Sequence, residues 1–445
     1  MTTAVVAGGG IAGLLAAKLL KNHYERVLVI ERDSVCGGLL GSIVNNDGVS
    51  FDHGAHVLSE TGLAELDALL YGGLSSSHWR EFNILRAGNW VGGAMNRSSP
   101  FPDARRLGVE TLRRGLSELA QAAFQRNSRP PAHLGEALER RFGATLATEV
   151  AGATVRKQLG VALEDLHPDT PFATRRVVCA DAEQSRLLKL DPRFTEACAF
   201  ASYEEGASTL LHRYPRQGGL AQWIEGFVAG LQDDGVEILC GRTIAAIAHG
   251  NGEVRSVTLD DDRTIDCELL AWTLPSAMLL RAGKIAFTGK APLSRPIGLF
   301  HLVFDLPFCD PNYHITCYDE SFRTFRITLY PNLRSEQQQA PYNCTVEVIG
   351  DAQTEFAALL PQVVEELRVM GVVDSDARLA SSLVQTVPMG FPATTHEFMA
   401  GNAAQATLAR QHMGNSLLLG RARCPPFFAQ DVLVDTYRTI TSLAP

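Results

Sequence analysis

The chain has 445 residues, 46% of them apolar and 20% charged, which is the size of two domains and the composition of a globular protein. Its formal net charge of -9 argues against nucleic acid or an anionic membrane surface as a partner, and no run approaches the roughly 18 to 20 apolar residues of a membrane span. Nine scattered cysteines, an odd number with no C-x-x-C, leave no expectation of a disulfide framework or a zinc site.

The first element is a short apolar strand at residues 4–7, followed at once by Gly8-Gly9-Gly10-Ile11-Ala12-Gly13. The pattern is G-x-G-x-x-G at Gly8, Gly10 and Gly13. A helical stretch at 14–22 and a second apolar strand at 27–30 follow, ending in Glu31. Strand, glycine turn, helix, strand and acid together predict a dinucleotide site. Gly8 allows the tight turn, Gly10 lets a pyrophosphate approach the backbone, and Gly13 lets the helix pack on the strand. The helix start presents free N–H groups and a positive dipole end to the phosphates. Glu31 is placed to accept bonds from a ribose hydroxyl. Because the strand opens at residue 4, no leader is expected ahead of it, and the cytoplasm is the expected compartment.

Gly37 and Gly38 come next, six and seven residues beyond the acid. A plain nicotinamide site does not need them, whereas a ribityl chain running against the backbone does. Residues 49–58 read as a strand entering the turn Gly54-Ala55-His56. Residues 103–165 read as helical, with apolar spacing at 107–124 and 134–142 interrupted by Arg129-Pro130-Pro131. The paired arginines in and after this region, such as Arg140-Arg141, read as solvated helix faces. Gly218-Gly219 opens a helix at 221–231, and strands follow at 236–239, 254–259 and 269–274. Short runs at 299–304, 325–330 and 345–349 predict an antiparallel sheet distinct from the parallel one. A helix at 355–370, a buried strand at 417–420 and a terminal helix at 432–443 complete the chain. The expected fold is therefore α/β with interleaved parts. Residues 1–85, 205–290 and 405–445 build the Rossmann-type dinucleotide domain, and 86–204 with 291–404 build a substrate or cap domain of helices and antiparallel sheet.

Gly8-x-Gly10-x-x-Gly13, Glu31, Gly37-Gly38 and Phe51-Asp52-His53-Gly54-Ala55-His56 resemble the glutathione-reductase-type flavoproteins. Within them the chain is similar to the branch holding amine oxidases, protoporphyrinogen oxidase and UDP-galactopyranose mutase. Lys157-Gln158-Leu159-Gly160 resembles that branch's cap helices. Trp272-Thr273-Leu274-Pro275, the strand carrying Arg326, Gly390-Phe391-Pro392 and Gly420-Arg421 resemble its later segments in the right order. The resemblance implies FAD as the cofactor. The residues expected to hold it are Gly8, Gly10, Ile11, Ala12, Gly13, Glu31, Arg32, Gly37, Gly38, Leu39, Gly54, Ala55, His56, Thr243, Ile244, Thr273, Gly420, Arg421, Asp431 and Val432.

His56, Arg326 and Arg421 are the expected catalytic residues, and His53 is expected to be structural. Alternation in 325–330 would put Arg326, Thr328 and Tyr330 on one face, opposite Phe325, Ile327 and Leu329, to meet an anionic or hydroxylated ligand. One departure from the mutases stands out. Ala422-Arg423-Cys424-Pro425-Pro426-Phe427-Phe428 contains no tyrosine where they use phenols against a diphosphate. Phe427 and Phe428 are read as core packing rather than as an aromatic wall of the site. The reading is a flavin-dependent oxidoreductase taking a hydride from a small polar organic substrate to flavin N5, with no metal, nucleic-acid or membrane partner, and with homodimerisation left open. The alternatives are a mutase-like non-redox flavoenzyme acting on a sugar nucleotide, and a catalytically inactive flavin-binding protein.

Overall fold

The computed structural model describes residues 2–125, 129–171, 173–424 and 426–443. Five parallel strands form one sheet in the order Glu237–Leu239, Arg26–Ile30, Thr3–Ala7, Leu269–Trp272, Ser416–Leu418. Its central strands are covered on both sides, which is why they read as unbroken apolar runs rather than as alternation. On one side Val6 and Val29 pack under the helices Ile11–Leu20, Leu220–Asp233 and Ala429–Thr441, through Leu15, Ile224 and Leu433 among others. On the other, Val5, Leu28 and Trp272 meet a three-stranded antiparallel sheet (Ile244–Gly250, Glu253–Leu259, Thr264–Asp266) and the helix Ser276–Ala282. The first helix starts at Ile11, earlier than the apolar spacing predicts. Gly10 is its N-cap, and Gly13 lies inside it, where a Cβ would sit 1.9 Å from the Gly8 carbonyl oxygen.

The second sheet has seven strands, in the order Leu379–Val387, Ile297–Phe304, Tyr342–Ile349, Thr324–Leu329, His314–Cys317, Ala87–Val91, Ala94–Asn96. It is mixed rather than wholly antiparallel, because Ala87–Val91 lies parallel to His314–Cys317. One face is apolar. Phe300, Ile315, Ile327, Leu329, Val346 and Val348 pack against Val363 and Leu367 of the helix Leu360–Val369. The other face is polar and is turned toward the segment that holds Phe51-Asp52-His53-Gly54-Ala55-His56.

The predicted alternation at 325–330 holds at its centre and fails at its ends. The register shifts between Thr324 and Arg326, so Phe325 leaves the main core for a small cluster with Ile297, Leu299 and Ile349. The strand stops at Leu329, and Tyr330 opens the short helix Tyr330–Arg334. The cap helices Val109–Phe124 and Leu134–Phe142 bury Leu119, Leu138 and Phe142. Beyond Phe142 the predicted helical stretch breaks into short pieces. Gly143, at φ +78, turns the chain where a Cβ would lie 2.4 Å from Glu118 Cβ. Among the described residues no helix is long and apolar enough to cross a membrane.

Candidate functional site

The glycine turn between the first strand and the first helix is held from several sides. Gly8, at φ +101, donates its N–H to the Ile30 carbonyl at 2.9 Å, and a Cβ on it would lie 2.3 Å from Thr273 Oγ1. Thr273 in turn donates to the Ala7 carbonyl at 2.8 Å, closing the turn from the neighbouring strand. Gly37, at φ +130, donates to the Gly9 carbonyl at 2.9 Å, and Gly38 lies beside Gly10. A Cβ built on Gly10 would meet nothing within 4 Å. No side chain caps the helix that Gly10 begins, which leaves its first amides to that open space. Gly420, at φ +61, reaches the same helix start, where a Cβ would meet Ala12 Cβ at 3.2 Å and Val432 Cγ1 at 3.7 Å. A cradle of backbone ahead of a helix N-terminus fits a pyrophosphate.

Glu31, expected to accept bonds from a ribose hydroxyl, is also engaged by the backbone. Its Oε2 accepts from Gly9 N at 2.6 Å and its Oε1 from Asp33 N at 2.8 Å, so the carboxylate braces the turn itself. Arg32 is exposed and pairs with Asp33, and Leu39 is exposed beside the second glycine pair. Arg242 N donates to the Glu31 carbonyl at 2.9 Å, which brings Thr243 and Ile244 alongside the acid, where Ile244 opens the three-stranded sheet. Asp431 is exposed in the first turn of Ala429–Thr441, where a carboxylate favours the helix N-terminus.

The second half of the site lies where the polar face of the seven-stranded sheet meets the turn Gly54-Ala55-His56. Gly54 has φ +107, and a Cβ there would stand 3.0 Å from Glu347 Oε1. The same oxygen accepts from Ala55 N at 3.1 Å. Glu347 also holds Arg326 in a two-pronged pair, Nε to Oε1 at 2.7 Å and Nη2 to Oε2 at 2.9 Å. Arg326 is therefore not the free anion-facing cation expected from the sequence, since a carboxylate with a 3% exposed side chain compensates its charge. Glu347 was not singled out in the sequence, although a lone acid within the apolar run 345–349 was the available signal.

His56, His314 and Tyr318 are enclosed by protein yet keep accessible surface, as side chains lining an internal cavity do. Burial, then the charge on Arg326, lowers the His56 pKa to about 3, with Arg421 adding to the effect and a hydrogen bond to the His53 backbone opposing it. Burial and Arg326 likewise bring His314 to about 3. Both imidazoles are neutral at neutral pH. Arg421 donates Nε to the Phe427 carbonyl at 3.1 Å and has no carboxylate partner among the described residues. Surrounding protein lowers its pKa, although the residue is exposed to solvent. Phe427 is buried and Phe428 is 51% exposed, so the two rings serve different surroundings, and Pro425 of that stretch lies outside the described residues.

Beneath the turn, Asp52 is fully buried and accepts from Tyr214 Oη at 2.6 Å, Ser42 Oγ at 2.7 Å and Leu220 N at 2.9 Å. Its own N–H donates to Tyr330 Oη at 3.0 Å, and that phenol also meets Thr345. Tyr330 thus returns to the polar face from outside the strand. Burial raises the Asp52 pKa despite these bonds. His53 bonds Gln385 at 3.1 Å, and Gln385 also meets His301.

Residues 11–341 match the family described as flavin containing amine oxidoreductase. Reduced UDP-galactopyranose mutase is similar in fold, with a TM-score of 0.77 and 16% identity over 99% of this chain and 92% of that one. An oxidoreductase from Methanosarcina mazei has a TM-score of 0.64 and 14% identity over 99% and 100% of the two chains. Putrescine oxidase bound to putrescine has a TM-score of 0.62 and 14% identity over 99% and 98%. An uncharacterized protein in the nifH2 3′ region of Methanothermococcus thermolithotrophicus is 44% identical over 66 residues, 15% of this chain, and the chain spans 63% of that relative's length.

Proposed function

Because the chain belongs to the flavin containing amine oxidoreductase family and uses FAD, we propose that it oxidises a small polar organic substrate carrying one negative charge. The observation that carries this reading is Arg421, an exposed guanidinium without a carboxylate partner among the described residues, whose charge bears on neutral His56. When bound, the flavin supplies the hydride acceptor, at N5. Gly8, Gly10, Gly37, Gly38 and Gly420 leave room for the cofactor's phosphates and ribityl chain, while Arg421 pairs with the substrate's anionic group. A base held at about pKa 3 keeps no proton at neutral pH. His56 therefore orients its neighbours by hydrogen bonds rather than storing the proton released on oxidation.

The same guanidinium disfavours a protonated amine beside it, because like charges repel. A diphosphate is also poorly served. Tyr318 donates to the Pro100 carbonyl at 2.8 Å, Tyr214 to Asp52, and Tyr330 to the Asp52 segment, so the phenols nearest the cavity are already engaged. The test is anaerobic addition of hydroxy acids, amino acids and amines to the yellow protein. Bleaching of the flavin by an anionic substrate, reversed by oxygen or another acceptor, is the expected result. Isomerisation of a sugar nucleotide by the pre-reduced protein, with no net oxidation, would overturn the reading in favour of a mutase.

A further inference from the structure

Strand register sets two ranks of polar side chains across the face of the seven-stranded sheet that borders the cavity. One rank is Asn89, Thr316, Arg326 and Glu347, and the next is His314, Thr328, Thr345 and His301. Most members have partners in the protein. Asn89 donates to the Ser99 and Phe101 carbonyls, Arg326 pairs with Glu347, and the Thr345 hydroxyl meets Tyr330 and His301. His314 and Thr328 differ, and they stand directly opposite each other. Thr328 is 1% exposed and its hydroxyl has no hydrogen-bond partner among the described residues. The His314 imidazole, half-buried in the cavity wall, makes no hydrogen bond to a described residue.

An unpaired buried hydroxyl is costly, and so is an enclosed imidazole without partners. Residues directly opposite on antiparallel strands have Cβ atoms about 4.5–5.5 Å apart, so a small rotation lets the Thr328 hydroxyl meet one ring nitrogen. That contact would satisfy one ring nitrogen and leave the other to the cavity. We propose that His314 is a substrate-contacting residue that recognises a hydroxyl group, with Thr328 positioning it, so that the anionic substrate proposed above is a hydroxylated organic acid. The proposal rests on the reading of this cavity as the substrate site. Its chemistry is one of matched partners. The ring nitrogen left to the cavity donates or accepts according to the tautomer, and a hydroxyl can answer either role. The low pKa of His314 is consistent with this, since the protonated ring would have lost its acceptor.

The experiment uses the FAD-loaded protein and two probes that differ by one hydroxyl, lactate and propionate, read as perturbations of the flavin absorption spectrum. Lactate is expected to bind at least about tenfold more tightly than propionate. His314→Phe should abolish that preference and leave propionate affinity unchanged, Thr328→Val should reduce the preference, and Arg421→Ala should weaken both acids alike. Flavin content and melting temperature report whether each variant is folded, and if His314→Phe loses its flavin the Thr328→Val comparison decides. Equal affinity for the two acids in the unmodified protein, no spectral response to either, or a preference that survives His314→Phe overturns the proposal. Binding is read as a shift of the oxidised flavin bands and any bleaching by lactate is scored separately, so these outcomes are distinct from the test of oxidation.

Discussion

Gly10 and Gly13 belong to one motif and are glycine for opposite reasons. Gly13 has the Gly8 carbonyl oxygen where its Cβ would be, at 1.9 Å, so the protein itself forbids a side chain. Gly10 has an extended backbone at φ -71 and empty space ahead of it, so the fold tolerates a side chain that a bound dinucleotide would not. Gly10→Val should therefore purify folded and colourless, with a circular-dichroism melt close to that of the flavin-free protein. Gly13→Val should be insoluble or melt far lower. A Gly10→Val protein that kept stoichiometric flavin would remove the pyrophosphate from this cradle. Glu31 is less clean a probe. Its carboxylate holds two backbone amides, so Glu31→Ala would disturb the turn as well as any ribose contact.

At the scale of an element, the strand Thr324–Leu329 works through its two faces. Ile327 and Leu329 enter the core under Leu360–Val369, while Arg326 looks the other way and meets Glu347 from the adjacent strand. Removing one partner of a buried pair leaves the other charged and unpaired, at a cost of about 3–5 kcal/mol. Arg326 keeps 25% of its side chain exposed, so the low end of that range applies to Glu347→Leu. Arg326→Met with Glu347→Leu should be less destabilised than the sum of the two single variants. Urea unfolding of the four proteins measures the difference. Additive losses would mean that the pair contributes nothing as a pair. Glu347→Gln should keep an acceptor for Ala55 N while leaving Arg326 uncompensated, and so should tighten binding of anionic probes.

At the scale of the whole molecule, the Rossmann-type FAD-binding fold and the seven-stranded sheet meet around three histidines held neutral. His56 and His314 are brought to about 3 and His301 to about 4, in each case chiefly by burial, from an ordinary value of 6.5. As pH falls below 6.5 the unfolded chain takes up protons that the native one refuses. The stability these groups contribute is whole above that pH and is lost progressively down to the folded values. Each contributes a slope of about 1.4 kcal/mol per pH unit in that window. Unfolding free energies measured from pH 7 to pH 4.5 should fall, and His301→Gln should remove one proton's worth of the slope. An unchanged slope would mean that His301 is protonated in the native protein.

Much of the cofactor half was legible along the chain because its parts are contiguous or close. The turn Gly8 to Gly13 is dictated by which residues the backbone can accept, and buried parallel strands must be apolar on both faces. Register and non-local pairing were not legible. Nothing along the chain says that Ala87–Val91 inserts beside His314–Cys317, that Asp52 gathers Tyr214 and Leu220, or that Glu347 takes the charge of Arg326. The alternation at 325–330 placed Arg326 and Thr328 on one face, but whether that face met solvent, a ligand or another side chain depended on the strands beside it. The sequence by itself determined the cofactor class and the fold, because those rest on local backbone geometry and on hydrophobic periodicity. Only the tertiary structure decided which polar side chains pair with one another, as Arg326 does with Glu347, because that follows from strand order and register, and neither is set by any single segment.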